Sequence, residues 1–326
     1  MSTVERASDL AVRGRASEAF WLLSAAAGRG DAEAAFRLAE WRMAGDCIRR
    51  DMAEARKLFG RAAELGLHRA EAPYVALLAN GAGNIGRRWN EALERLRLRC
   101  EREPEACAQL ALLEKMELDA AGDPRGIATA EIACIEPDVR RIAGFLTIEE
   151  CDYLSSLALP LLRPAVVVHP ETGKFVQDPI RTSMAAAFPF VSENPVLHAV
   201  NRRIAAATGT GYEQGEPLQL LSYAAGQEYK LHSDALPGSG NQRIKTMLVY
   251  LNDAFEGGET FFPKPGMSIR GKPGEAVLFS NADAQGRPDP AAIHAGLPVR
   301  QGRKLILSKW IRARPLDLTG PPGRPC

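Results

Sequence analysis

From Leu218 onward the chain reads as short apolar runs broken by turn residues, and that punctuation leaves few folds open. LQLLSY (Leu218–Tyr223), TMLVYL (Thr246–Leu251), AVLFS (Ala276–Ser280) and LILSKWI (Leu305–Ile311) are strand-length and bounded by Gly, Pro and Asn. Many short strands of this kind close into an antiparallel double sheet. Two helices stand ahead of them. Thr147 to Glu150 is a capping box, and VLHAVNRRIAAATG (Val196–Gly209) is an amphipathic run closed by glycine.

The first 120 residues differ in kind, being rich in Ala, Leu, Arg and Glu with little strand signal. They also repeat. A shift of thirty-six matches Ala19 with Ala55, Leu22 with Leu58, Ala26 and Ala27 with Ala62 and Ala63, and Gly30 with Gly66. A weaker third copy begins at NEALERLRL (Asn90–Leu98). Alanine pairs let helices approach closely, and a glycine ends a helix in the left-handed conformation. A period near this length belongs to stacked helix pairs of the tetratricopeptide kind, and the pattern resembles Sel-one-like repeats; an ordinary helical bundle filled by alanine is the plainer alternative. Trp21, Trp41, Arg42 and Trp89 are candidates for a concave binding face, or simply for packing. The expected fold class is α+β: a helical repeat domain (1–120), a linker (121–135), a double-stranded β-helix flanked by helices (136–316) and a flexible tail (317–326).

Charge and cysteine usage narrow the function classes. Lys+Arg 41 against Asp+Glu 40 gives a net charge of +1, so no basic field invites nucleic acid. The six cysteines (47, 100, 107, 134, 151 and 326) lack C-x-x-C spacing and read as reduced thiols. The first twenty residues, charged at Glu5, Arg6, Asp9, Arg13 and Arg15, lack a signal-peptide core. No apolar run approaches a membrane span. The expected compartment is the cytoplasm.

The chemistry is carried by His232-x-Asp234, by His294 and by Lys304. Two residues apart on a strand, His232 and Asp234 point to one face, and His294 must come from another strand to join them. Two imidazoles and a carboxylate on one face of a metal, with three positions open, are the ligand set of non-haem Fe(II) oxygenases. A lysine beyond them can neutralise the far carboxylate of a dicarboxylate co-substrate. Each part has a bland reading. An isolated H-x-D is commonly a surface histidine, and a lysine ahead of an apolar run is commonly an edge-strand gatekeeper. His68, His169 and His198 need no role. Trp310, six residues past Lys304, faces the same side and is either core or channel wall.

Joint context favours the chemical reading. IAGFLTIEECDYL (Ile142–Leu154), EPLQLLSY (Glu216–Tyr223), GGETFFP (Gly257–Pro263), GEAVLFSN (Gly274–Asn281), HAGLPV (His294–Val299) and SKWIRARP (Ser308–Pro315) occur in this order. Together they resemble the prolyl 4-hydroxylase family of 2-oxoglutarate- and Fe(II)-dependent dioxygenases, over roughly Arg140 to Pro315. The resemblance implies His232, Asp234 and His294 as iron ligands. It implies Lys304 as partner of the 2-oxoglutarate C5 carboxylate, with Tyr223 and Thr260 hydrogen-bonding the same molecule. Arg181, Ser183, Arg243 and Trp310 fall where the family lines its substrate channel. Ser233, often aromatic in the family, and the short connection Ala235–Gln242 depart from the pattern and bear on the substrate.

The activity so implied consumes 2-oxoglutarate and O2, releases succinate and CO2, and hydroxylates a prolyl residue in a protein or peptide, with L-ascorbate as auxiliary reductant. A hydroxylase of a free amino acid or other small molecule would use the same triad. A binding protein with an inert oxygenase-like domain would have lost part of it. The repeats are expected to recognise a protein substrate, to pack, or to form a homodimer.

Overall fold

The computed structural model describes residues 1–320 apart from 82–84, 169–174, 177–179 and 284. His169 and Cys326 therefore lie outside the described residues, as does the end of the expected tail. The chain divides into two compact units, 1–125 with 189–200 and 317–326, and 126–188 with 201–316.

Among the described residues of 1–125, seven helices build the first unit: α1 (Thr3–Val12), α2 (Ala16–Gly28), α3 (Ala32–Ala44), α4 (Met52–Glu64), α5 (Glu71–Asn80), α6 (Trp89–Cys100) and α7 (Pro104–Lys115). Each packs on the next in chain order, as a repeat array requires. α2 and α4 start and stop thirty-six residues apart, and the matched glycines after them, Gly30 (φ 91°) and Gly66 (φ 89°), are both left-handed. Alanines make the close contacts: Ala7, Ala19, Ala26 and Ala34 pack with Leu23, Leu38 and Trp41 in one cluster. Trp41 and Trp89 are core, whereas Trp21 is 69 % exposed.

Three expectations change here. Cys100 and Cys107 are not reduced thiols but a disulfide, with Cα atoms 4.5 Å apart. The turn at 101–103 folds α7 back on α6 and brings the two sulfurs together, which a search for C-x-x-C spacing does not see. Cys134 and Cys151 are free. The linker is also shorter than 121–135. Arg87 pairs with Asp123 and donates to the Ala121 carbonyl within the helical unit, and strand pairing begins at Glu131. Residues 317–320 likewise belong with the helices, the Arg50 guanidinium donating to Thr319 Oγ1 at 3.0 Å and to the Gly320 carbonyl.

The second unit is a double sheet. Its strands are β1 (Glu131–Cys134), β2 (Val139–Ile142), β3 (Arg163–Pro164), β4 (Val167–Val168), β5 (Phe175–Val176), β6 (Met184–Phe188), β7 (Leu218–Ala224), β8 (Tyr229–His232), β9 (Arg243–Tyr250), β10 (Phe255–Gly257), β11 (Thr260–Phe262), β12 (Met267–Ile269), β13 (Ala276–Ser280), β14 (His294–Gly296) and β15 (Val299–Arg312). The larger sheet runs β1-β2-β13-β9-β15-β7-β6-β3, with β10 also on β15; the smaller runs β12-β11-β14-β8. All of this pairing is antiparallel. The inner faces meet in one apolar core, Tyr250, Val277, Phe279 and Ile306 from the large sheet against Phe262 and Ile269 from the small one. This is the double-stranded β-helix.

Helix α8 (Ile148–Ala158) begins with the expected capping box: the Thr147 hydroxyl accepts from Glu150 N, and Glu150 accepts from Thr147 N. The Glu150 carboxylate also takes both arms of Arg203, at 2.8 Å each, from helix α9 (Pro195–Thr208). That buried acid is fully paired, as burial demands.

Candidate active site

The two sheets enclose a cavity, and β7, β8, β11, β14 and β15 furnish its polar wall. His232 ends β8 and His294 opens β14; the two are direct cross-strand partners. Asp234 lies two residues past His232, and the three side chains offer ligand atoms within 4.8 Å of one another. His232 Nε2 is 3.7 Å from Asp234 Oδ1, and His294 Nε2 is 3.8 Å from Asp234 Oδ2.

Each imidazole is oriented by its own strand. His232 Nδ1 lies 2.8 Å from the Lys230 carbonyl, and His294 Nδ1 lies 3.0 Å from the Ala292 carbonyl. A carbonyl only accepts, so Nδ1 carries the proton in both rings and Nε2 presents a lone pair to the centre. Burial, together with the neighbouring His294, pushes the His232 pKa down to about 4, against the pull of Asp234. The ring is therefore neutral at physiological pH, as ligation requires. Burial alone would raise the Asp234 carboxyl, but the two histidines and the Thr246 hydroxyl outweigh it and the net shift is downward. The Asp234 carboxylate just past β8 and the two imidazoles on β8 and β14 fit a divalent iron ion that would keep three open positions. Tyr229 stacks on His232 at 3.5 Å between ring centroids, 12° from parallel, and so fixes its plane.

A second layer stands behind Asp234. Thr246 Oγ1 donates to Asp234 Oδ2 at 2.6 Å, and Asn281 Nδ2 donates to Thr246 Oγ1 at 2.8 Å. Asn281 is 1 % exposed, and its Oδ1 finds no partner among the described residues. Such an unmet buried acceptor costs about 1–3 kcal/mol.

Lys304 sits on β15, two residues past the Gly302–Phe255 pair that ends that strand's pairing with β10, and is 3 % exposed. It is no edge residue: β15 lies between β7 and β9. Its ammonium donates to the Gly258 carbonyl at 2.7 Å and lies 5.6 and 5.3 Å from the rings of Tyr223 and Tyr250. Burial lowers its pKa to about 8, with Glu259 opposing. The GGETFFP segment builds this end of the cavity. Gly258 is left-handed (φ 68°), and a Cβ there would lie 3.0 Å from Val299 Cγ2 and 3.3 Å from Lys304 Cδ. Tyr223 is the cross-strand partner of Lys304, and burial raises its phenol pKa, so it is a donor throughout the physiological range. Thr260 Oγ1 is 2.8 Å from the Tyr250 hydroxyl, whose own proton goes to the Ile269 carbonyl at 2.9 Å. The Thr260 proton thus points at Tyr250, and an arriving carboxylate would have to redirect it.

The four residues expected along the channel are all buried or half-buried, in two groups. Arg181 lies over the Tyr229 ring at 5.2 Å and donates to Ser183 Oγ at 3.3 Å. Arg243 lies over the Trp310 ring at 3.9 Å and makes a two-pronged pair with Glu216, at 2.7 and 2.8 Å. Trp310 lines the cavity with Lys304, Ile306 and Ser308, the inward positions of β15. The sequence assigns no role to Tyr229, Thr246 or Asn281. The first shares the cavity face of β8 only once the strand is placed, and the other two act through pairs that lie across strands. Of the remaining histidines, His198 pairs with Glu193 at 3.3 Å and His68 opens a single 3₁₀ turn.

The comparisons agree with this centre. Residues 218–312 match the model of the 2OG-Fe(II) oxygenase superfamily. Over 208 residues the chain is 36% identical to prolyl 4-hydroxylase 1 of Arabidopsis thaliana, covering 58% of this chain and 74% of that relative. Over 201 residues it is 34% identical to prolyl 4-hydroxylase subunit alpha-1 of Rattus norvegicus, covering 59% and 36%. Among solved structures, the 2OG complex of the viral collagen prolyl hydroxylase from Paramecium Bursaria Chlorella virus-1 shares 30% identity. It covers 56% of this chain and 99% of that one, at a TM-score of 0.44. The chain belongs to the prolyl 4-hydroxylase family of 2-oxoglutarate- and Fe(II)-dependent oxygenases.

Proposed function

We propose that this enzyme hydroxylates prolyl residues in a protein or peptide, using iron held by His232, Asp234 and His294. The observation that carries the reading is one cavity joining this triad to a buried lysine. With iron and 2-oxoglutarate bound, the centre supplies the oxidation: the co-substrate and O2 give succinate and CO2, and one oxygen atom enters a substrate C–H bond. The chain supplies the rest. Lys304, with Tyr223 and a redirected Thr260, holds the distal carboxylate at the closed end of the cavity. The apolar walls, among them Leu221, Leu248 and Ile306, keep water from the centre. Tyr229 and Trp310 line the cavity, with Arg181 over the first ring and Arg243 over the second, fixed charges suited to the peptide groups that flank a proline.

The test is direct. Proline-containing peptides incubated with enzyme, Fe(II), 2-oxoglutarate and ascorbate are expected to gain one oxygen on proline, located by fragmentation mass spectrometry. Oxygen found only on free amino acids or other small molecules would move the substrate to that class. Consumption of 2-oxoglutarate without any oxidised product would remove the hydroxylase reading.

The helical unit has a groove lined by Phe20, Leu38, Leu58, Arg42, Asp51 and Arg61, with exposed Trp21 in edge contact with Phe20. In the same reading this groove engages a protein substrate away from the hydroxylated residue. Phe20→Ala combined with Leu58→Ala in the full chain should leave the rate on short peptides unchanged. It should lower hydroxylation of whole lysate proteins several-fold, as quantified by mass spectrometry. Equal loss on peptides and proteins would assign the groove to folding instead.

A further inference from the structure

Thr246 and Asn281 have no part in any step described above, yet they are among the most deeply buried polar groups of the second unit, 0 % and 1 % exposed. From the relay Asn281–Thr246–Asp234 we infer that Thr246, oriented by Asn281, holds Asp234 as a one-oxygen metal ligand. The inference rests on the metal centre assigned above.

The proton directions are forced. An ionised carboxylate only accepts, so the single hydroxyl proton of Thr246 goes to Asp234 Oδ2 at 2.6 Å. The Thr246 oxygen can then only accept, which fixes the Asn281 amide with Nδ2 towards it at 2.8 Å. Asn281 cannot drift: its backbone N–H bonds the Ile244 carbonyl at 2.8 Å, and its carbonyl accepts from Asp289 N at 2.9 Å. Thr246 is equally fixed, on β9 between β13 and β15. The unmet Oδ1 of Asn281 matters here. A leucine of similar volume would avoid it, so the amide gains its place through the bond that its nitrogen makes.

The consequence lies in the coordination sphere. With Oδ2 engaged by Thr246, Oδ1 would be the freer donor, and Asp234 would take one position on a bound metal instead of two. Three protein donors would then leave the rest of a bound metal's sphere open to co-substrate. Without the hydroxyl, the carboxylate can rotate or close on the metal through both oxygens.

The full-length protein tests this with Mn(II) and Co(II) alone, by calorimetric titration and by the Co(II) absorption spectrum, which reports coordination number and geometry. Thr246→Val, nearly isosteric, should weaken Mn(II) binding by about 10–100-fold and change the Co(II) spectrum. Thr246→Ser, which keeps the hydroxyl, should restore both. Asn281→Leu should weaken binding in the same direction by less. Wild-type affinity and spectrum in Thr246→Val overturn the relay, as does a serine variant no better than valine. If Thr246→Val does not fold, Asn281→Leu decides, and unchanged metal affinity there overturns the relay. Wild-type protein that binds Mn(II) no better than His232→Ala removes the metal centre itself, which separates that failure from a failure of the relay.

Discussion

His232→Ala should reduce the turnover of 2-oxoglutarate to succinate to the background of the protein-free reaction, while the protein stays folded. The two expectations have separate causes. Among the described residues His232 is one of three such donors, and its Nε2 is offered to the centre because Nδ1 is tied to Lys230 in its own strand. Tyr229 does not replace it, since it stacks flat on the ring and presents a face instead of a donor. Stability is less at risk. Losing the ring removes two ring contacts, with Tyr229 and with His294, each worth about 0.5–1.5 kcal/mol, which lowers the melting temperature by several degrees in a chain of this size. Iron analysis, succinate release and thermal unfolding measured on one preparation check all three points. Residual turnover near the wild-type rate would falsify the triad.

Lys304→Ala should raise the apparent KM for 2-oxoglutarate by at least about tenfold, as expected for a charge-assisted bond of roughly 1.5–3 kcal/mol. Metal affinity should hardly change, because the ammonium bonds Gly258 and not a ligand. A pH dependence follows from the lowered pKa of about 8. Below that pH the ammonium is charged and ready for a carboxylate. Above it the free enzyme holds a neutral amine, so binding must take up a proton, and affinity should fall by up to about tenfold per pH unit. Ligand-free stability has the opposite trend. The unfolded chain keeps its lysine charged to about pH 10.4, so between about 8 and that value the unfolded state binds more protons, and stability rises with pH. A flat KM profile between pH 7 and 9.5 for the wild type, or one unchanged by Lys304→Ala, would return the lysine to a packing role.

Much of this was legible because the informative signals are local. The runs at 218–223, 246–251, 276–280 and 305–311 all lie within observed strands or within one residue of them. The capping box at Thr147 and the glycine after Thr208 mark helix ends that the backbone obeys. The H-x-D pair needs only strand geometry to share a face. What stayed hidden depends on partners distant in sequence. The β1–β2 hairpin has Glu131, Ile132 and Ala133 all exposed, so it offers no alternation to read. The Cys100–Cys107 bond depends on a turn that reverses the chain. Thr246 is an ordinary β-branched strand residue until Asp234 and Asn281 arrive beside it from other parts of the chain.

One contact shapes which molecules the cavity can choose. Lys304 already rests on the Gly258 carbonyl, so a ligand that reaches the closed end enters an exchange: it must offer more than a carbonyl dipole to win the ammonium. A dicarboxylate can. A mimic that chelates metal but carries an amide or ester at its far end cannot, and gains little from the extra atoms. Among inhibitors built on one metal-binding head, potency should therefore step up sharply with a distal carboxylate and respond only weakly to neutral groups of the same length.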